Sequence, residues 1–275
     1  MAEQILADEE AVANGEVILK IEDGVAYATV NRPKARNAMA PYVRRPLTRF
    51  VESLKTNTDV RVLLLQATGP SFIAGGDVKS FSLGLEMTPE ARAEDMRGRA
   101  AGAGVFSAAL ASIPQPVIVA GRGPSVGVGA SIMLAADLVM LSENAMLRLS
   151  HVTLGISPDG LASWFLPRIV GLKRANQIAM LGDPLTAQEA LALGLVNWVY
   201  PDEELDAEAE KLARRLASGA PQAIGEIKRL MLTSGARDLD GQVSAEAESL
   251  RRCALTDDYA EGLRAVLERR APRFG

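Results

Sequence analysis

The chain of 275 residues holds one cysteine, Cys253, and one histidine, His151. A lone cysteine rules out an intramolecular disulfide and any multi-cysteine metal cluster, and suits a reducing compartment. A lone histidine excludes zinc sites built from two or three imidazoles and leaves one imidazole at most for proton transfer, so no metal site is expected. Excess positive charge is also missing. Thirty Lys and Arg stand against 34 Asp and Glu, a formal net charge of −4, and no nucleic-acid partner is expected. No lysine or arginine precedes Lys20, the reverse of a secretory or transit leader, so the expected location is cytoplasmic. Long apolar runs are lacking too: 105–121 is broken by Pro114 and Pro116, and 123–136 is short and glycine-rich, so no membrane partner is expected. What is present, 48% hydrophobic and 23% charged residues, is enough to bury a sizeable core in one large domain.

Two apolar-rich runs within 17–30 flank Asp23-Gly24, a pair that favours a type I′ β-hairpin. A helix is expected from about Pro41 to Lys55, with a late or kinked start because Pro46 removes a backbone hydrogen bond. Arg61 to Gln66, Pro116 to Gly121 and Asp137 to Leu141 read as short buried strands, and Ala130 to Ala136 as helical. Residues 84–104, polar and dotted with glycine, are expected to be a mobile segment or frayed helix, a possible lid. Thr186 with Glu189 three residues on forms a capping box stopped by Gly194, and 195–200 reads as strand. The expected organisation is a flexible segment at 1–16, an α/β core over 17–200 and a helical C-terminal region over 201–275, in an α/β layered fold.

The glycine-rich run 121–129 lies between a strand and a helix, the context of an anion-binding helix N-terminus. It is neither a P-loop nor a dinucleotide fingerprint, since no Gly-Lys-Ser/Thr follows and Val126 and Ile132 stand where glycine is required. Gly123-Pro-Ser125-Val-Gly127 does match the G-x-S-x-G nucleophile elbow. A serine hydrolase using Ser125 would then need an acid and a histidine; His151 follows by 26 residues with Asp137 and Glu143 between, leaving the remainder of the chain without a triad role.

Several stretches taken together resemble the crotonase (enoyl-CoA hydratase/isomerase) superfamily. They are Asn31 to Ala38, Ser71-Phe-Ile-Ala-Gly-Gly-Asp-Val-Lys79, Pro116 to Ala120 with the Gly123 to Gly129 loop and Ala135-Ala-Asp137, and Leu154-Gly-Ile-Ser-Pro-Asp-Gly160. Leu166-Pro-Arg168, Leu185 to Ala190, Gly194-Leu-Val196 and Glu261 to Ala265 continue the match in order and spacing. The resemblance implies a crotonase-like fold of repeated β-β-α units. It further implies an acyl-CoA substrate, no separate cofactor because coenzyme A is part of that substrate, and a homotrimer or dimer of trimers assembled through the C-terminal helices.

Carried over residue by residue, the resemblance makes the backbone amides of Gly76 and Val128 an oxyanion hole for the thioester carbonyl. Two such preorganised donors stabilise an enolate, one of them by roughly 3 kcal/mol. Glycine is usual in the family where Val128 stands, and a valine serves if its φ stays negative. The two glutamates of the family's hydratases correspond here to Ser131 and His151. Asp159, in a Ser-Pro-Asp-Gly turn, matches the catalytic aspartate of the family's isomerases and the nucleophile of its aryl-CoA dehalogenases. The dehalogenases also need an upstream histidine, which 105–112 lacks. Isomerisation of 3-enoyl-CoA to 2-enoyl-CoA with Asp159 as proton shuttle is therefore the leading expectation, and an apolar setting from Leu161, Trp164 and Phe165 would make Asp159 a better base. An enoyl-CoA hydratase with atypical catalytic residues, an aryl-CoA dehalogenase-like enzyme and a non-catalytic acyl-CoA binder remain open. Ala74, Asp77, Ser131 and Trp164 are expected near the substrate, and Arg32, Lys34, Arg36 and Lys79 are candidate partners for the coenzyme A phosphates.

Overall fold

The computed structural model describes residues 2–275. Its elements in chain order are α1 (Ala2–Ala13), β1 (Val17–Glu22), β2 (Val25–Val30), α2 (Pro41–Leu54), β3 (Val62–Ala67), α3 (Val78–Ser82) and α4 (Pro89–Ser112). There follow β4 (Val117–Gly121), β5 (Pro124–Val126), α5 (Val128–Ala135), β6 (Leu138–Ser142), β7 (Met146–Arg148), α6 (Ala162–Leu181), β8 (Leu185–Thr186) and α7 (Ala187–Ala192). The chain ends with β9 (Trp198–Tyr200), α8 (Leu205–Ala217), α9 (Pro221–Thr233), α10 (Leu239–Ala254) and α11 (Asp257–Leu267).

Six strands form one sheet in the order β1-β2-β3-β4-β6-β9, with β1 antiparallel at the edge and every other neighbour parallel. The hairpin turn is the expected one, with Asp23 at φ 49° and Gly24 at φ 77°, both left-handed as type I′ demands. Period-two alternation divides the sheet's apolar residues between two cores. Ala26, Ala28, Leu63, Leu65, Val117, Val119, Val139 and Leu141 face one way, into the core that α2, α4 and α5 complete. Val25, Val62, Leu64, Ile118, Ala120 and Met140 face the other, under a stripe of Leu205, Ala209, Ala213 and Ala217 spaced every fourth residue along α8. Strands β5, β7 and β8 make a small second sheet beside the main one.

Three expectations change. The first sixteen residues, expected as a flexible lead, carry α1, although Met1 lies outside the described residues. Buried Asp8 of α1 pairs with Arg45 at 2.7 Å and Arg49 at 2.8 Å, which docks α1 on α2. Helix α2 begins at Pro41 and runs through Pro46 without a late start, because a proline at the first helical position is preorganised there. Residues 84–104 are no frayed segment: α4 is continuous from Pro89, capped by Thr88 Oγ accepting from the Ala91 N–H, and anchored by buried Phe106 and Leu110 further along.

Asp137 has a structural task that spacing along the chain does not show. Its Oδ2 accepts from the Val117 N–H at 2.8 Å and lies 2.6 Å from Lys228 Nζ, while Lys228 also donates to the carbonyls of Leu110 (2.9 Å) and Gln115 (3.0 Å). Burial pushes the Asp137 carboxyl up and the Lys228 ammonium down, and their pairing opposes both shifts. Lys228→Met would leave that carboxylate enclosed without its cation; a loss of about 3–5 kcal/mol is expected, read as a lower urea midpoint, with partial recovery in Asp137→Asn/Lys228→Met.

The C-terminal helices are joined by a second charge cluster. Glu226 of α9 receives Arg252 of α10 at 2.7 Å and 2.8 Å and Arg229 at 2.7 Å, and these donors, Arg252 first, hold its carboxyl down to about 2. A folded-state value below the ordinary 4.5 means a stabilisation that is complete above that pH and fades as pH falls toward about 2. Glu226→Gln is expected to lower stability at neutral pH by about 1.5–3 kcal/mol and to flatten this acid limb, as thermal midpoints across the range would record.

Candidate active site

The loops that follow β2, β3 and β4 leave the same end of the parallel sheet, where α/β proteins gather their sites. Asn37 latches the first to the second, its Nδ2 donating to the carbonyls of Thr68 (2.8 Å) and Ser71 (2.7 Å) and its Oδ1 accepting from the Arg32 N–H (2.7 Å). The second is locked to the third at Ile73, whose carbonyl accepts from the Val126 N–H at 2.9 Å. A Cβ at Gly129 would collide with that same carbonyl oxygen, so glycine permits the close approach.

These contacts shape a cleft of about 270 Å³ lined by Ala74, Gly75, Gly76, Val126, Gly127, Val128, His151 and Asp159, with Met39 and Arg44 of the α2 region and Met96, Arg99 and Ala103 of α4. Met39 N–H bonds to the Gly75 carbonyl at 2.9 Å, leaving the Gly76 N–H without a partner among the described residues. Val128 opens α5, so its N–H has no acceptor within the helix. The left-handed turn before it is taken by Gly127 at φ 53°, and Val128 keeps a negative φ. Peptide N–H groups of this kind, one at a helix N-terminus, are suited to an oxygen that gains negative charge.

His151 stands in a short 3₁₀ helix, Ser150–Leu154, and Asp159 in the turn before α6. His151 Nε2 lies 3.1 Å from Asp159 Oδ1, within hydrogen-bond reach of the carboxyl group; its Nδ1 is buried with no partner among the described residues. The setting of Asp159 is more polar than the apolar one expected, since it holds this imidazole and lies near the Arg44 guanidinium. Of the expected residues, the cleft unites Gly76, Val128, Ala74, His151 and Asp159. Ser131 is wholly buried on α5 and donates to the Gly127 carbonyl at 3.2 Å. Trp164 is half exposed beneath Arg168, 3.5 Å from ring centre to guanidinium, and does not line the cleft. Arg32 is committed to the Ala38 carbonyl at 2.7 Å and to Glu16 and Asp77, Asp77 caps α3, and Lys34, Arg36 and Lys79 are exposed. Ser125 is fully buried in β5 outside the cleft, with Asp137 held by Lys228 and His151 by Asp159, so no serine triad is assembled.

Sequence reasoning missed Arg44 and the whole α4 wall. The available signal for Arg44 was its place beside Val43 and Leu47, on the edge of the buried stripe of α2, where a surface arginine is out of place. Among the described residues no cluster of three or more His, Cys, Asp or Glu is placed to hold a metal ion, and no helix is long and apolar enough to cross a membrane.

Strand order, loop placement and cleft together define a crotonase-fold protein. The chain belongs to the enoyl-CoA hydratase/isomerase family, whose model matches residues 20–275. It is 31% identical to the 1,2-epoxyphenylacetyl-CoA isomerase of Escherichia coli, covering 94% of this chain and 97% of that protein. It is likewise 31% identical to the short-chain-enoyl-CoA hydratase of Clostridium acetobutylicum, covering 92% and 95%. The crystal structure of an enoyl-CoA hydratase from Polaromonas sp. JS666 superposes with a TM-score of 0.86 at 29% identity, covering 94% of this chain and 99% of that one. Family members are enzymes of acyl-CoA chemistry, and so is this chain; its relatives carry both isomerase and hydratase names.

The turn that aims Asp159 offers a direct check. Gly160 has φ 59°, Leu161 has φ 63°, and a Cβ on Gly160 would sit 2.7 Å from Ser131 Cβ. Gly160→Ala is expected to cost about 1–3 kcal/mol in urea unfolding, and adding Ser131→Gly should restore part of it.

Proposed function

We propose that the protein is an enoyl-CoA isomerase that shifts a 3-enoyl-CoA double bond into conjugation with the thioester. The observation that carries this reading is that Asp159 is the one carboxylate among the residues lining the cleft, with His151 and not a second carboxylate beside it. Abstraction of the C2 proton puts negative charge on the thioester oxygen, and the acceptor-free amides of Gly76 and Val128 take that charge as an oxyanion hole. Asp159, now protonated, returns the proton at C4. Base and acid roles alternate on one group, so no second carboxylate is required. His151 acts as a positioning residue, fixing the carboxylate through its Nε2–H.

The reaction needs no cofactor beyond the coenzyme A carried by the substrate. Lys34, Arg36 and Lys79, exposed at the loop ends, are the proposed partners of its phosphates. Apolar side chains left exposed on α10 and α11, such as Leu250, Leu263 and Val266, support assembly into trimers of a cytosolic enzyme.

A panel of 3-enoyl-, 2-enoyl- and aryl-CoA thioesters with product identification tests the reading. Rising absorbance of the conjugated thioester is expected with 3-enoyl-CoA, reduced at least about 100-fold in Asp159→Asn and less in His151→Ala. Equal turnover by Asp159→Asn would sink the mechanism, and 2-enoyl-CoA hydration that is lost in His151→Ala would favour the hydratase alternative.

A further inference from the structure

Three arginines line the cleft, and two of them are already engaged. Arg99 holds Asp95 at 2.6 Å and Ser80 Oγ at 2.7 Å and lies over the Phe81 ring, and Arg148 donates to the Gly182 carbonyl at 2.6 Å. Arg44 differs. Among the described residues its guanidinium makes a single long hydrogen bond, Nη1 to the Arg99 carbonyl at 3.4 Å, and no ion pair. It is nonetheless built in: α2 carries it next to fully buried Val43, and α4 receives it at Gly102, where any Cβ would strike the guanidinium.

The location of Arg44 says which part of a ligand it faces. Arg44 lines the same cleft as Asp159, which the exposed loop-end cations do not, so on the acyl-CoA reading it faces the acyl part of a ligand; burial opposes its charged form and the Asp159 charge favours it. Met39, Phe81, Met96 and Ala103 give the cleft it lines an apolar part, and the like charges of Arg45 and Arg99 act on it as well, so a cation is costly there unless an anion meets it. A hydrocarbon tail would strip water from Arg44 and return nothing. A carboxylate would be gripped by two parallel N–H donors, the geometry for which guanidinium is best suited, in surroundings that strengthen the pair.

On the reading above, that the cleft holds an acyl-CoA, we infer that Arg44 selects acyl groups bearing a second, distal carboxylate, so that the preferred substrates are CoA thioesters of dicarboxylic acids. Chemically, such a substrate must come from a reaction that leaves a free carboxylate at the far end of the acyl chain, such as oxidation of a terminal carbon or opening of a ring.

Binding of saturated thioesters separates this inference from the choice of reaction, because nothing has to turn over. Dissociation constants of succinyl-, glutaryl- and adipyl-CoA are compared by calorimetry with those of butyryl-, pentanoyl- and hexanoyl-CoA. At the length that reaches Arg44, the dicarboxylic member should bind at least about tenfold more tightly than its monocarboxylic counterpart. Arg44→Met should abolish the preference by weakening the dicarboxylic ligand alone, and Arg44→Lys should keep part of it, each variant being checked for an unchanged circular dichroism spectrum. Equal or weaker binding of the dicarboxylic member at every length in the wild-type protein, a result that needs no variant, would overturn the inference. A preference that survives Arg44→Met would do so too, as would an Arg44→Met effect confined to the pH profile of turnover, which would assign Arg44 to Asp159 alone. If neither series binds, the acyl-CoA reading falls and takes this inference with it, whereas monocarboxylic binding without preference removes only the role of Arg44.

Discussion

The site depends on one close approach of backbone to backbone, that of the Ile73 carbonyl to Gly129. Parallel strands β3 and β4 lie side by side, so the loops leaving them start about 4.8 Å apart. The Val126 N–H bond to Ile73 and the bare Cα of Gly129 keep them together beyond the sheet. Gly76 lies three residues past that contact on one loop and Val128 two residues past Val126 on the other, so their separation follows from it. Asn37 extends the lock to the first loop by donating to the Thr68 and Ser71 carbonyls.

Around this frame, the titratable residues that line the cleft stand on separate pieces of chain. His151 comes from a 3₁₀ turn after β7, Asp159 from the entry of α6 and Arg44 from α2. Relatives of similar sequence and fold carry isomerase and hydratase names alike, so the family alone does not decide between them.

Much of the fold was legible because its signals are local. Asp23-Gly24 forces left-handed φ at both positions, Thr186 and Glu189 cap each other, and the short apolar runs alternate across a sheet buried on both faces. That Gly76, Val128, His151 and Asp159 share one cleft was legible only through the motif resemblance, since they lie far apart in the chain. Helix α4 was not, because Gly98, Gly102 and Gly104 lower its propensity and no clear apolar stripe marks it; its packing supplies what propensity lacks. Asp137 with Lys228 and Arg44 with Gly102 were hidden for another reason. They are pairings across 91 and 58 residues, and nothing near either partner in the chain announces the other.

The unpartnered N–H groups of Gly76 and Val128 belong to the peptide chain and not to any side chain. Every residue type except proline carries the same group, so replacing the side chain at either position cannot delete the donor; it can only re-aim it. At Gly76 the constraint is one of volume, since a Cβ there would collide with the Phe81 ring, whereas Val128 already carries a branched side chain.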